Sequence, residues 1–281
     1  MNADLHCHST VSDGLLSPTQ LVRRALANGV ELLALTDHDE IDGLAEARAE
    51  AAATGLRFID GVEISVTWGD DTTVHVLGLG IDPAHAPLQA ALAGVRAGRD
   101  GRARRIAAEL DRVGIHGAFE GAHRLAGNPA LISRAHFARY IVELGHARDF
   151  GAVFDHWLAK GKPGYVPHAW ASLAEAVGWI HAAGGVAVIA HPARYRISNG
   201  ELKRLLGEFK ELGGEGIEVL SGSHGASELP ALAALARQYD FLASTGSDFH
   251  GPGESWADLG KMPPLPGDLT PVWEKLQWNS R

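Results

Sequence analysis

Near its start the chain reads Asp4-Leu5-His6-Cys7-His8-Ser9-Thr10, followed by Ser12-Asp13-Gly14. His6 and His8 flank one residue, so on an extended strand both imidazoles leave the same face. Two imidazoles a strand pitch apart, with the Asp13 carboxylate arriving on the next loop, form a geometry for holding a metal ion. A lone His-x-His pair is weak evidence, because single histidines are common on surfaces and in cores. This pair has company. Thr36-Asp37-His38-Asp39, Gly61-Val62-Glu63, Val74-His75-Val76, Ala190-His191-Pro192 and Ser247-Asp248-Phe249-His250 each set a histidine or carboxylate near the end of an apolar run. Cys7 points to the opposite face of its strand and reads as a small core residue.

The composition narrows the chemistry. At 281 residues, with 46% hydrophobic and 21% charged residues, the chain can bury a large core and has ordinary soluble composition. No apolar run approaches the length of a membrane span and no basic-then-hydrophobic leader is present, so a cytoplasmic protein without membrane partners is expected. The single cysteine excludes an intramolecular disulfide and multi-cysteine metal sites. Fifteen histidines and no thiolate cluster favour manganese, iron or zinc in a nitrogen–oxygen site. A net charge of −9 argues against duplex DNA as a partner. From Arg96 to Arg148, however, ten arginines meet five acids and no lysine, so that segment is locally positive. Its run from 99 to 112 reads as a solvated helix face.

Outward from the opening motif, residues 3–8 read as a strand and Ser17-Pro18-Thr19-Gln20 as a capped helix start. Strands are expected at about 31–36, 56–66 and 72–81, with a helix from Asp42 to Thr54 between the second and third. Residues 88–160 look wholly helical. The alternation then resumes: helix 172–183, strand 186–190, helix 201–212, strand 216–220, helix 227–239 and strand 241–245. Most of the candidate ligands fall at or just past the C-terminal ends of strands, where a βα barrel places its active site. His6, His8, Asp13, His38, Glu63, His75, His191, Asp248 and His250 are nine donors, too many for one ion. They suit two or three ions sharing a carboxylate bridge. Asp39 reads as a carboxylate behind the ligands, and Trp68 as either a core residue or a base-stacking platform.

These motifs, including His6-Cys7-His8-Ser9, Thr36-Asp37-His38-Asp39, Gly61-Val62-Glu63-Ile64 and Ser247-Asp248-Phe249-His250, resemble those of the PHP (polymerase and histidinol phosphatase) family over roughly residues 3–81 and 165–255. The resemblance implies a distorted (β/α)7 barrel with a trinuclear site, often of Mn2+. One ion would take His6, His8, Glu63 and Asp248, a second Asp13, His38 and His250, and a third Glu63, His75 and His191. Residues 1–87 and 165–281 would form the barrel, and 88–164 an all-helical insertion capping the substrate. Ile132-Ser133-Arg134-Ala135-His136-Phe137-Ala138-Arg139 and Gly161-Lys162-Pro163-Gly164-Tyr165-Val166-Pro167 are similar to members acting on nucleoside 3',5'-bisphosphates or on the 5' end of short RNA. Ala135 stands where proline is expected, a change assigned to loop stiffness.

The reaction this implies is attack of a metal-bridging hydroxide on the 3'-phosphorus, with Asp13 and Glu63 in the catalytic set. Arg134 is expected to bind the 5'-phosphate, assisted by Ser133, His136 and Lys160. Arg194 and His224 would touch the scissile phosphate, with His224 as general acid. Alternatives are a histidinol-phosphate-type phosphatase, a metal-dependent amidohydrolase, and a nucleic-acid-binding module with structural metals. Asp13, Glu63 and the Asp248-Phe249-His250 run speak against the amidohydrolase.

Overall fold

Short apolar runs closed by glycine or polar turns become the strands of a barrel, and amphipathic stretches between them become its helical coat. The computed structural model describes residues 1–276. Its strands are β1 (Ala3–Asp4), β2 (Leu32–Leu35), β3 (Arg57–Trp68), β4 (Thr72–Leu79), β5 (Val186–Ile189), β6 (Gly216–Ser221) and β7 (Leu242–Gly246). They form one sheet in sequence order. Leu5 N donates to Thr245 O at 3.0 Å and Cys7 bridges to Phe249, so the first and last strands meet and the barrel nearly closes. The opening strand is shorter than expected, because past Asp4 the chain pairs with the segment after β7.

The barrel helices are α1 (Pro18–Ala27), α2 (Leu44–Thr54), α3 (Ala86–Ala97), α8 (Leu173–Ala182), α9 (Asn199–Glu211) and α10 (Leu229–Tyr239). Between α3 and α8 come α4 (Arg99–Asp111), α5 (Ala118–Leu125), α6 (Arg134–Glu143) and α7 (Phe150–Val153), with short 3-10 and π turns. Ser17 caps α1 in a reciprocal box with Gln20, as the sequence predicts. Ala135 lies in the first turn of α6 rather than in a loop, and its N–H donates to Ser133 Oγ, so alanine keeps a cap hydrogen bond that a proline would remove. One strand breaks the parallel pattern. β4 runs antiparallel to both β3 and β5, because it follows β3 through a tight turn with no intervening helix. Its N-terminal half therefore lies at the barrel end where the other strands finish, and His75 arrives there.

Period-two alternation sorts the strand residues onto two faces. Leu33, Leu35, Val62, Ile64, Val76 and Ile189 face the helices, while Leu32, Ala34, Ile59, Leu77, Val188 and Ala190 fill the barrel interior. A separate apolar cluster gathers Ala103, Ile106, Leu110, Phe137, Ile141, Val153 and Leu158 between α4 and α7. Helix α3 straddles the expected boundary at residue 88, since Leu88 and Leu92 pack into the barrel's own cluster. Trp68 is a core residue, buried and donating from Nε1 to Glu208 at 2.6 Å.

Phe137 is fully buried in the helical cluster. Phe137→Ala should cost about 3–5 kcal/mol, and hydrogen exchange should rise across residues 103–158 before it rises in the barrel strands. Simultaneous loss of protection in both would mean the two clusters unfold as one unit.

Candidate metal centre and substrate cavity

Glu63 sits mid-strand in β3 with its side chain wholly buried, and imidazoles surround it. Its Oε1 lies 2.8 Å from His75 Nδ1, 3.1 Å from His191 Nε2 and 3.3 Å from His6 Nε2. Its Oε2 lies 2.9 Å from His38 Nδ1 and 3.3 Å from His8 Nε2. Asp248 Oδ1 approaches His8 Nε2 at 3.2 Å and His6 Nε2 at 3.5 Å, and Asp13 Oδ1 approaches His250 Nε2 at 3.5 Å. All nine donors named from the sequence thus meet in one cluster.

The donor atoms group, within 4.8 Å of one another, as His8–Asp13–His38–His250, His6–His8–Asp248, His6–Glu63–His191 and His38–Glu63–His75. Compared with the ligand sets implied by resemblance, His8 also approaches the Asp13 group, and His75 and His191 fall in separate groups that share Glu63.

The donors fit a cation better than they fit one another. The nearest His38 nitrogen and Glu63 Oε2 are 2.9 Å apart, yet neither atom has an aligned hydrogen bond. Nitrogen and oxygen lone pairs converging without hydrogen-bond alignment are what a shared positive ion requires. Burial pushes the Glu63 carboxyl up in pKa, and His75, His38 and His6 more than offset it, holding it well below the usual range. For Asp248 the same balance is struck against burial by His6, His8 and His250. Burial lowers His75 and His250 to about 4, which leaves their lone pairs free at neutral pH. Three of the non-glycine residues with positive φ, Asp39, His191 and Asp248, lie at this cluster, where the surrounding structure holds strained backbone.

Buried carboxylates aim the ligands. Asp37 accepts from Ser9 N, Ser9 Oγ and Ser12 Oγ at 2.6–2.7 Å, which folds the loop that presents Asp13. His250 Nδ1 faces Asp248 O at 2.9 Å, leaving Nε2 toward Asp13. Ser223 hydrogen-bonds Asp248 Oδ2, and Arg194 reaches the same oxygen at 3.3 Å, so Oδ1 is left for the cluster. Cys7 is buried with Sγ donating to Ala34 O, on the far face from the ligands as expected.

A cavity of 390 Å³ opens over the cluster. Asp13, His38, His75, Asp248 and His250 lie on its floor, and Arg99, Arg102, Arg134 and Arg194 on its walls. Arg99 and Arg102 correct the reading of their helix as a solvated face. They are 5% and 8% exposed, with their guanidinium groups 4.8 and 5.2 Å from the Trp170 ring. Arg99 pairs with Asp39, which also accepts from Ser65 N at 2.7 Å, so Asp39 stands behind the ligands as expected. Arg102 and Arg134 have no carboxylate within salt-bridge distance among the described residues. Burial comes first for both; then the charge of Arg134 on Arg102, that of Arg194 on Arg134, and that of Arg99 on each lower them to about 9 and about 10, so both stay cationic at neutral pH.

Other expected substrate contacts are placed differently. Ser133 lines the cavity but its Oγ donates to Asp13 Oδ2 at 2.8 Å and caps α6 at Ala135 N. His136 is buried below the lining, its Nδ1 accepting from Ser133 N at 3.0 Å. Lys160 points into solvent and pairs with Asp71 at 2.6 Å, outside the lining. His224 is not among the lining residues and burial lowers its pKa, neither of which favours a general acid. Sequence reasoning passed over Glu218, Arg139 and Trp256. A glutamate inside the apolar run 216–220 was the available signal for the first. The others carried none, since Arg139 acts by clamping Glu254 and Asp13 O, and Trp256 by standing 96% exposed at the cavity rim.

The PHP domain family matches residues 4–219. A 3',5'-nucleoside bisphosphate phosphatase from Chromobacterium violaceum is 51% identical over 98% of this chain and 96% of its own length. A 5'-3' exoribonuclease from Haemophilus influenzae is 43% identical over 97% of this chain and 98% of its own. A solved structure from Chromobacterium violaceum, described as an amidohydrolase with bound sulfate, superposes with a TM-score of 0.94 at 51% identity, covering 98% of this chain and 95% of that one. With the family matched over more than half its length, and a relative aligned almost end to end, the chain belongs to the PHP domain family.

Proposed function

We propose that this chain is a metal-dependent phosphoesterase that hydrolyses the 3'-phosphate of nucleoside 3',5'-bisphosphates, giving the 5'-monophosphate and phosphate. We further propose that the same site takes the 5' end of short RNA. The observation that carries the reading is one cavity that faces a carboxylate–imidazole floor with a wall of arginines, two of which, Arg102 and Arg134, have no carboxylate partner among the described residues. The similarity to a bisphosphate phosphatase and to a 5'-3' exoribonuclease supports it.

His6, His8, Glu63 and Asp248 would hold one divalent ion, and Asp13, His38 and His250 a second. Glu63, His75 and His191 would hold a third. Mn2+ is the proposed occupant, and the donor set suits Fe2+ or Zn2+ as well. Bound ions supply an acidified water and positive charge for a phosphoryl oxygen.

The chain's own residues do the rest. Arg102 and Arg134 present desolvated guanidinium forks, which match phosphate oxygens two by two and anchor the 5'-phosphate. Arg194, half-exposed beside Asp248, is placed to meet the scissile phosphate. Phe150, Phe154 and Trp256 offer ring faces to a base. Residues 88–164 act as the cap, joined to the floor where Arg139 Nη2 donates to Asp13 O at 2.5 Å and Ser133 holds the Asp13 carboxylate. A neutral amide substrate would leave Arg102 and Arg134 unpaired, so the phosphoester reading is preferred over amide hydrolysis.

Phosphate release from the Mn2+-loaded protein should be fast with adenosine 3',5'-bisphosphate and slow with 3'-AMP, 5'-AMP and histidinol phosphate. Fast release from histidinol phosphate instead would discard the substrate assignment. Arg134→Ala should lower kcat/KM for the bisphosphate about 10–100-fold, matching a lost charged hydrogen bond of about 1.5–3 kcal/mol. The rate with 3'-AMP, which has no 5'-phosphate, should change little, and an unaltered preference would refute the anchor. Chelation should abolish phosphate release and lower the melting temperature. Mn2+ should restore both, an ion at 100 times its Kd contributing about 2.7 kcal/mol. A melting temperature indifferent to metal would count against the metal centre.

A further inference from the structure

Glu218, on β6, is a fully buried carboxylate that belongs neither to the donor cluster nor to the cavity wall. We propose that Glu218 is a positioning residue that decides which nitrogen of His6 is free to meet a metal ion, a role that rests on the metal-centre reading above. Its Oε1 lies 3.0 Å from His6 Nδ1, and its Oε2 accepts from the His191 backbone N–H at 2.6 Å. One side chain therefore grips a candidate ligand residue from each of two segments of the barrel rim, one after β1 and one after β5.

The consequence for His6 follows from hydrogen-bond chemistry. A carboxylate oxygen that faces an imidazole nitrogen accepts from it, so His6 Nδ1 carries a proton toward Glu218. Nε2 is then the nitrogen left for an ion, facing Glu63 at 3.3 Å, Asp248 at 3.5 Å and His8 Nε2 at 3.2 Å. At His191 the same carboxylate holds a backbone with φ of 29°, a conformation side chains other than glycine rarely adopt. The pair has little room to move. A Cβ at Gly246 would collide with the His6 Cβ and stand 3.0 Å from Glu218 Oε1, so β7 packs flat against both.

Glu218→Gln keeps the size and reverses the chemistry. The backbone N–H of His191 cannot turn, so the glutamine oxygen must face it and the amide NH2 must face His6 Nδ1. His6 then accepts at Nδ1 and carries its proton on Nε2, where an ion would bind. Glu218→Ala removes both contacts but leaves His6 free to choose its tautomer. By chelator competition, Glu218→Gln is expected to weaken Mn2+ binding about 10–100-fold. Glu218→Ala should weaken it less, although it melts at the lower temperature. A merely structural role gives the opposite order, with alanine worse on both measures, and that result, or wild-type affinity in Glu218→Gln, overturns the proposal. If the alanine variant does not fold, two-bond 1H–15N spectra of the metal-free wild type and Glu218→Gln decide, taken at a pH high enough to leave the His6 ring neutral in both. The protonated nitrogen of His6 should move from Nδ1 to Nε2, and an identical tautomer in both overturns the assignment. Should the wild type bind no Mn2+, the metal-centre reading fails, while these spectra still test what Glu218 does to His6.

Discussion

A carboxylate buried in the middle of a strand must be met by positive charge, and around Glu63 that demand organises the barrel's open end. Five imidazoles lie within 3.3 Å of its two oxygens, drawn from the segments after β1 and β2, from β4 and from the end of β5. Leaving such a group uncompensated in a low dielectric costs several kcal/mol. Without metal, protons on the ring nitrogens fill the role: Glu63 and Asp13 raise His38 to about 9 against the effect of burial. Divalent ions held there would satisfy the same oxygens and displace those protons, which would couple metal binding to the stability of the fold.

The rest of the rim reads as support for that cluster. Asp37 folds the loop bearing Asp13, Glu218 grips His6 and His191, and Ser223 with Arg194 occupies one oxygen of Asp248. Ser133 and Arg139 extend this support into the helical layer, so a shift of α6 would move Asp13. Across the cavity the electrostatics reverse. Arg99 is balanced by Asp39, but Arg102 and Arg134 are not balanced, and they raise the potential where a second anionic group would sit. A site that is negative at its floor before metal binds, and positive along its wall, separates the place for cations from the place for a phosphate.

Much of this was legible in the linear chain. Most of the nine donors end or interrupt an apolar run, and period-two alternation puts His6 and His8 on one face regardless of what surrounds them. The capped start of α1 at Ser17 is likewise local chemistry between residues three apart. Family resemblance added an expected ligand grouping and an expected substrate class, which spacing alone does not supply.

Tertiary structure decided what depends on partners distant in sequence. The burial of Arg99 and Arg102 could not be read from a helix rich in arginine, because it is set by Trp170 and Asp39, which come from other elements. Lys160 is taken from the cavity by Asp71, and His136 by the cap of its own helix. The antiparallel course of β4 brings His75 to the open end from the start of a strand rather than its finish. Which faces the candidate donors leave from could be read in the linear chain, because that follows from backbone periodicity. Only the closed barrel determined which are held, which are paired away and which remain free, because long-range contacts govern burial and charge.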